Sequence, residues 1–170
     1  LAKMGKNIEA RADLEKFLTY HPRHTAALYQ MGKLADNEEE YAEAIDWYTR
    51  VIRSDSNHAL AYFNRGVDYE FVYQQEKALE DYTRAIQCDP ENEGAWFSRG
   101  YIYDNLNDFP KAIQDYTQVL RINPLSADAW YNRGLARINA GFKTLGCDDV
   151  SHAIQLGDKD AKKFYKSNCQ

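Results

Sequence analysis

The sequence lacks the marks of several common protein classes. Its three cysteines, Cys88, Cys147 and Cys169, stand far apart and form no CxxC pair. An odd count at such spacing points neither to a disulfide framework nor to a zinc site, so the expectation is small apolar fillers or an exposed tail thiol. No run of about eighteen apolar residues is present, which excludes a membrane-spanning helix. The opening stretch LAKMGKNIEA has no apolar core of the kind a secretory signal needs. The compartment stays open, the cytoplasm being favoured slightly over export by a signal removed upstream. Basic residues are outnumbered, 21 Lys and Arg against 26 Asp and Glu. A net charge of −5 with no basic run disfavours a nucleic-acid partner, because a phosphate backbone would meet net repulsion. Strand-like alternation is absent throughout.

What is present is a repeat. AYFNRG at 61–66 returns as AWFSRG at 95–100 and as AWYNRG at 129–134, a period of 34 residues. Units at a fixed period of this length share one continuous core instead of closing separate ones. Units begin at Thr25, Ala59, Glu93 and Ala127, and the last three follow the turn-like stretches SDSNH, CDPEN and INPLS. The chain therefore divides into 25–58, 59–92, 93–126 and 127–157, with 1–24 before and 158–170 after. Pro90 and Pro124 stop the preceding helix, since proline lacks the amide proton and clashes with the turn before it. Asn92 and Ser126 are placed to cap the next helix. Within 109–120, Phe109, Ala112, Ile113, Tyr116, Val119 and Leu120 recur at helical spacing and mark one buried stripe. Asp108 is placed to cap that helix, and Pro110 is tolerated in its first turn. Each unit thus reads as helix, turn, helix.

Two further patterns concern how the helices of a unit meet. Gly32, Gly66, Gly100 and Gly134 sit on first helices, where glycine costs roughly 0.5–1 kcal/mol relative to alanine, so a packing gain is expected. The expectation is that they face Ala44, Ala78 and Ala112 of the second helices at the closest approach, with Tyr62, Trp96 and Trp130 filling space beside them. Arg65, Arg99 and Arg133 are each followed at one fixed interval by Asp81, Asp115 and Asp149, whereas the first unit carries Met31 and Trp47 there. Both partners change together. An arginine–aspartate pair between the two helices of a unit is predicted, replaced in the first unit by an apolar contact.

The series Tyr62, Gly66, Tyr69, Ala78, Tyr82, Ala85, Pro90 and the series Trp96, Gly100, Tyr103, Ala112, Tyr116, Val119, Pro124 resemble the tetratricopeptide repeat. The first unit is looser, with Leu28 for the aromatic and Ser56 for the proline, and the last decays in its second half, where Gly146 and Val150 replace alanine and aromatic. The resemblance implies an all-α, right-handed α-solenoid of about four repeats. Ala10, Leu14, Phe17 and Pro22 fit the second helix of a truncated repeat over 1–24, so the chain reads as part of a longer array. Asp158 is placed to cap a last helix, DAKKFYKSN, whose Ala161, Phe164 and Tyr165 share one side, as in a capping helix.

No nucleophile, base and orienter form a recognisable signature, so no catalytic residue, cofactor or metal is assigned and the chain is expected not to be an enzyme. His21 and His24 flank Pro22 and Arg23 without an identifiable third metal ligand and read as part of a solvated turn. The resemblance implies a protein-interaction module whose first helices line a concave groove. The residues assigned to that groove are Tyr29, Phe63, Phe97 and Tyr131, then Asn64, Ser98 and Asn132 beside them, then Val67 and Tyr101, then Phe71 and Asn105. Rings supply anchor area and amides can hold a peptide backbone at donor and acceptor alike. In the branch of the family that grips a C-terminal carboxylate, basic residues stand where this chain has Tyr29, Phe63, Gly94 and Asp128. An apolar or mixed peptide of a protein partner is therefore expected, its identity open. The alternatives are an architectural subunit that self-associates through the open N-terminal face at Leu14 and Phe17, or an accessory segment of a larger enzyme or of a secretion or assembly complex.

Overall fold

The computed structural model describes the backbone of residues 2–169 and the side chains of residues 9–169. The described residues form ten helices and no strand: α1 (Ala2–Tyr20), α2 (Thr25–Asn37), α3 (Tyr41–Ser54), α4 (Ala59–Phe71), α5 (Gln75–Cys88), α6 (Glu93–Asn105), α7 (Phe109–Ile122), α8 (Ala127–Asn139), α9 (Lys143–Gln155) and α10 (Lys159–Asn168). They divide into an N-terminal half, 1–90, and a C-terminal half, 91–170. No described helix is long and apolar enough to cross a membrane.

In the N-terminal half α2 pairs with α3 and α4 with α5, while α1 lies against α2 and α3 against α4. The core gathers Leu18, Leu28, Met31, Ala35, Ala44, Tyr48, Val51 and Ala61, with Leu14, Tyr29 and Trp47 packed on its edge. In the C-terminal half α6 pairs with α7 and α8 with α9, with α7 against α8 and α10 closing onto α9. Phe97 and Tyr103 cover Ala112, Tyr116 and Ala136, and Trp96 and Trp130 lie beside Val119, Leu120 and Ala129. The last helix places Phe164 and Tyr165 against Val150, Ala153 and Ala161. Its N-cap is Asp158, whose Oδ1 accepts from the amides of Asp160 and Ala161.

The helix starts are set by side-chain caps, which satisfy amides that have no partner within the helix. Asn92 accepts from the Ala95 amide and Asp108 from that of Lys111. Ser126 occupies the expected N-cap position but makes no side-chain bond to α8, a correction to the sequence reading. Two histidines read as idle turn residues are caps instead. His24 Nδ1 accepts from the Ala27 amide at 3.2 Å, and His58 Nδ1 from that of Ala61 at 3.1 Å.

Two packing expectations are also corrected. The first-helix glycines of the first three repeats meet the tyrosine of the second helix rather than its alanine. A Cβ on Gly32 would lie 2.6 Å from Tyr48 Cε1, and one on Gly66 2.7 Å from Tyr82 Cε1. The ring lies across the glycine and needs the missing side chain's space. Only in the last repeat, where both large groups shrink, do two small residues meet: a Cβ on Gly146 would be 2.5 Å from the Gly134 carbonyl oxygen. The cysteine reading is corrected as well. Cys147 on α9 and Cys169 at the end of α10 form a disulfide, with Cα atoms 5.7 Å apart across a sequence separation of 22. The fold-back of α10 brings them together, which spacing along the chain does not reveal. Cys88 is a half-buried free thiol.

Candidate functional site

The first helices carry the candidate residues, and the predicted ion pairs hold those helices in place. Arg65 donates from Nε and Nη2 to the two carboxylate oxygens of Asp81 at 2.7 and 2.8 Å. Arg99 does the same to Asp115 at 2.8 and 2.9 Å, and Arg133 to Asp149 at 2.9 and 2.9 Å. Two parallel bonds fix the guanidinium plane as well as its distance. Each guanidinium also lies near rings of its own helix, Arg65 over Tyr62 and Tyr69, Arg99 over Trp96 and Tyr103, Arg133 over Trp130. Burial pushes the Asp81 and Asp115 carboxyls up, against the pull of their arginines.

In the N-terminal half, α2 and α4 present Tyr29, Phe63, Asn64, Val67 and Phe71. Tyr29 is half-buried, its ring 5.7 Å from that of Tyr48. Asn64 Nδ2 donates to Tyr29 Oη at 3.0 Å and to Tyr48 Oη at 3.3 Å, so its amide nitrogen is engaged within the half. Tyr48 Oη donates in turn to Asp36 Oδ2 at 3.2 Å. Phe63 is half-buried with its ring 5.9 Å from Tyr82, whose phenol donates to Glu70. Val67 is half-buried, and Phe71, 54% exposed, stacks on Tyr41 at 4.4 Å with the planes 3° apart.

In the C-terminal half, α6 and α8 present Phe97, Ser98, Tyr101, Asn105, Tyr131 and Asn132. Phe97 meets Tyr116 edge-on at 5.6 Å, and Tyr131 meets Phe164 of α10 edge-on at 6.1 Å. Ser98 and Asn132 are half-buried, Asn105 is exposed, and Tyr101 is 48% exposed. Thus the four equivalent aromatics all rest on another ring of their own half.

Sequence reasoning missed the chemistry of the acids behind these rings. Asp36 and Glu70 each accept a phenol twelve residues downstream. Asp104 and Tyr116 hold the same places, but Asp104 Oδ1 and Tyr116 Oη are buried without a partner. In the last repeat the pair becomes Ile138 and Val150. That joint change is the signal that could have found them. Asp68 is fully buried, and no amide, hydroxyl or basic group bonds to either of its carboxyl oxygens; its hydrogen-bond neighbour is the Asp36 carboxyl. Burial, with the Asp36 carboxyl beside it, pushes its pKa up to about 9. Burial likewise raises Glu70 and Asp104. The described residues contain no group of three or more His, Cys, Asp or Glu suited to a metal ion.

Models of the tetratricopeptide repeat match residues 1–59 and 94–124, and one of the protein prenyltransferase alpha subunit repeat matches 76–106. No curated protein sequence matches the chain. Among solved structures, it is similar to a crystal structure of MamA, 24% identical, with a TM-score of 0.85 over 95% of this chain and 94% of that one. It is also similar to YrrB, described as a TPR protein with an unusual peptide-binding site, at 22% identity and a TM-score of 0.83 over 98% of this chain and 87% of that one. The Arabidopsis OM64 TPR domain is 23% identical, with a TM-score of 0.63 over 67% of this chain and 94% of that one. At these identities the likeness is one of fold.

Proposed function

Since the chain belongs to the tetratricopeptide repeat family, we propose that it is a non-catalytic interaction module that binds a segment of a protein partner on its first-helix face. The segment is extended or helical. In the N-terminal half it contacts Tyr29, Phe63, Asn64, Val67 and Phe71, and in the C-terminal half Phe97, Ser98, Tyr101, Asn105, Tyr131 and Asn132. The observation that carries this reading is the bracing of the aromatics. Phe63 rests on Tyr82, Phe97 on Tyr116 and Tyr131 on Phe164, while each stays half-buried. A ring held on one side and left open on the other offers contact area with little ordering cost, which is how interface anchors work. Asn64, tied through its nitrogen to two phenols, acts through its carbonyl oxygen as an acceptor for a peptide amide. That YrrB is described as carrying a peptide-binding site supports the class of ligand.

The test starts with a partner captured on the immobilised wild-type chain and compares variants by dissociation constant. Phe71→Ala with Tyr101→Ala removes two rings that are about half exposed, so the fold is retained and binding weakens at least fivefold. Phe63→Ala with Phe97→Ala weakens binding further but lowers the melting temperature, because both rings pack on tyrosines. Unchanged affinity in both double variants refutes the assignment.

A second reading, assembly of copies through α1, draws on Phe17 and Tyr20, which are 40% and 76% exposed on that helix. Sedimentation decides it: concentration-dependent dimers that disappear on changing Leu14 or Phe17 support assembly.

A further inference from the structure

We propose that Asp36 and Asp68 together form a receptor for one cationic side chain, a lysine or arginine carried by the peptide bound on the first-helix face of the N-terminal half. The inference rests on the peptide-binding reading and names the chemistry of the ligand.

Asp68 is out of place by the logic of the repeat. Its equivalents are Leu34, Ile102 and Ala136, and the last two are fully buried. An apolar residue would serve packing better, since a carboxyl carried out of water without a donor is costly. The chain neutralises its other fully buried aspartates: Asp81, Asp115 and Asp149 each take two hydrogen bonds from an arginine. Neither Asp68 oxygen takes a bond from an arginine, an amide or a hydroxyl; its carboxyl meets that of another acid, Asp36, and the two share a proton. Arg65, three residues before it on the same helix, is held by Asp81 and Thr49. A proton, not a cation, keeps Asp68 neutral, and among the described residues no basic group bonds to either Asp68 oxygen.

The surroundings suit an incoming basic side chain. Asp36 is the half-buried member and so the one a ligand meets first. The Asn64 amide nitrogen goes to the two phenols and the Tyr48 phenol to Asp36 Oδ2, which leaves the pair no partner of opposite charge among these neighbours. Phe71 follows Asp68 by three residues on α4, hence on a neighbouring position of the same helix face, and its ring stacks on Tyr41. The exposed Phe71 ring can line the alkyl stem of lysine or arginine and receive its charge on the ring face. A net charge of −5 favours the approach of a basic segment. With no third ligand-type residue joining the pair among the described residues, one cationic side chain fits better than a divalent metal.

The experiment uses the full chain and four mixtures of synthetic dodecapeptides, randomised over apolar and polar residues, with the central residue held as arginine, lysine, citrulline or leucine. Binding is measured by fluorescence anisotropy, the contact surface by amide NMR shifts, and the carboxyl states by ¹³C signals of labelled aspartate. The arginine and lysine mixtures are expected to bind at least tenfold tighter than the other two and to shift α2 and α4. They also ionise Asp68, moving its titration well below 9. Asp68→Asn and Asp36→Asn each reduce the preference to twofold or less. Asp68→Asn melts no lower than wild type, which separates loss of binding from loss of fold. Equal binding of all four mixtures on α2 and α4 overturns the cation receptor and leaves the peptide-binding reading standing. An arginine preference that survives both asparagine variants also overturns it. Failure of every mixture to shift α2 and α4 overturns both.

Discussion

The two hairpins of the N-terminal half meet one packing demand in two ways. In α4/α5 the contact between helices is Arg65 with Asp81, a bidentate pair whose guanidinium also lies near the rings of Tyr62 and Tyr69. In α2/α3 the same places hold Met31, fully buried, and Trp47, half-buried, whose indole N–H goes to Glu43. The apolar version reaches its neighbour only indirectly, through Glu43, whose Oε1 also accepts from Arg11 of α1 at 2.7 Å. The polar version reaches out of its hairpin directly, because Arg65 Nη1 donates to Thr49 of the preceding hairpin at 2.8 Å. Arg133 repeats the arrangement in the C-terminal half, holding Asp149 and donating to Thr117 of α7. The contact therefore tolerates either chemistry when both members match, and arginine adds a fastener between consecutive hairpins.

The largest effect is expected from mismatching that contact. Arg65→Met alone leaves Asp81 buried without its cation and should cost about 3–5 kcal/mol. Copying the first hairpin in full, Arg65→Met with Asp81→Trp, should recover most of that loss, since a buried ion pair can be exchanged for apolar residues at little net cost. Chemical denaturation of the two variants and wild type measures both steps. A double variant as unstable as the single one would break the equivalence of the hairpins.

That comparison also shows what was legible before any coordinates. The arginine–aspartate pairs could be read because partners sixteen residues apart change together, and a joint change implies contact. The helix ends could be read where asparagine or aspartate sits before an apolar stripe, as at Asn92, Asp108 and Asp158. His24 and His58 were missed as caps because histidine's Nδ1 is an unusual acceptor at that position. Periodicity names the face a glycine occupies but not which neighbour covers it, so Tyr48 and Tyr82 were mistaken for Ala44 and Ala78. The Cys147–Cys169 bond depends on α10 folding back, a long-range event without a local signal. For the candidate site, register on the first helices could be read. The use of Asn64's amide nitrogen by two phenols could not, since it joins residues of two repeats.

A smaller effect sharpens the comparison between repeats. Alanine at Gly66 would bring its Cβ to 2.7 Å from Tyr82, whereas at Gly100 the nearest atoms are Asp115 Cβ at 3.1 Å and Tyr116 Cε1 at 3.2 Å. The Tyr82 ring is pinned by its phenol on Glu70, while the Tyr116 phenol has no partner and its ring can give way. Gly66→Ala should therefore lower stability by about 1–3 kcal/mol, an overpacking cost. Gly100→Ala should come out near zero, because the helical preference for alanine, about 0.5–1 kcal/mol, offsets a milder clash. Thermal melts decide the matter, and equal losses at the two sites would mean that the phenol anchor does not hold the ring.

The smallest effect lies in the turns that join the paired helices. Each turn needs one residue in the left-handed region: Glu39 at φ 61°, Tyr73 at 59°, Asn107 at 59° and Gly141 at 91°. The last repeat uses the residue that adopts this conformation freely, and the second uses a bulky aromatic that does not. Tyr73 is 94% exposed, so little packing opposes its replacement. Tyr73→Gly should raise stability by about 0.5–1 kcal/mol, the left-handed penalty of a side chain less the greater entropy of glycine in the unfolded chain. Asn107→Gly should gain less, since asparagine tolerates the region better than tyrosine. If Tyr73→Gly lowers the melting temperature instead, the ring makes a contact that its exposure hides, and the second hairpin's turn is held by more than its backbone.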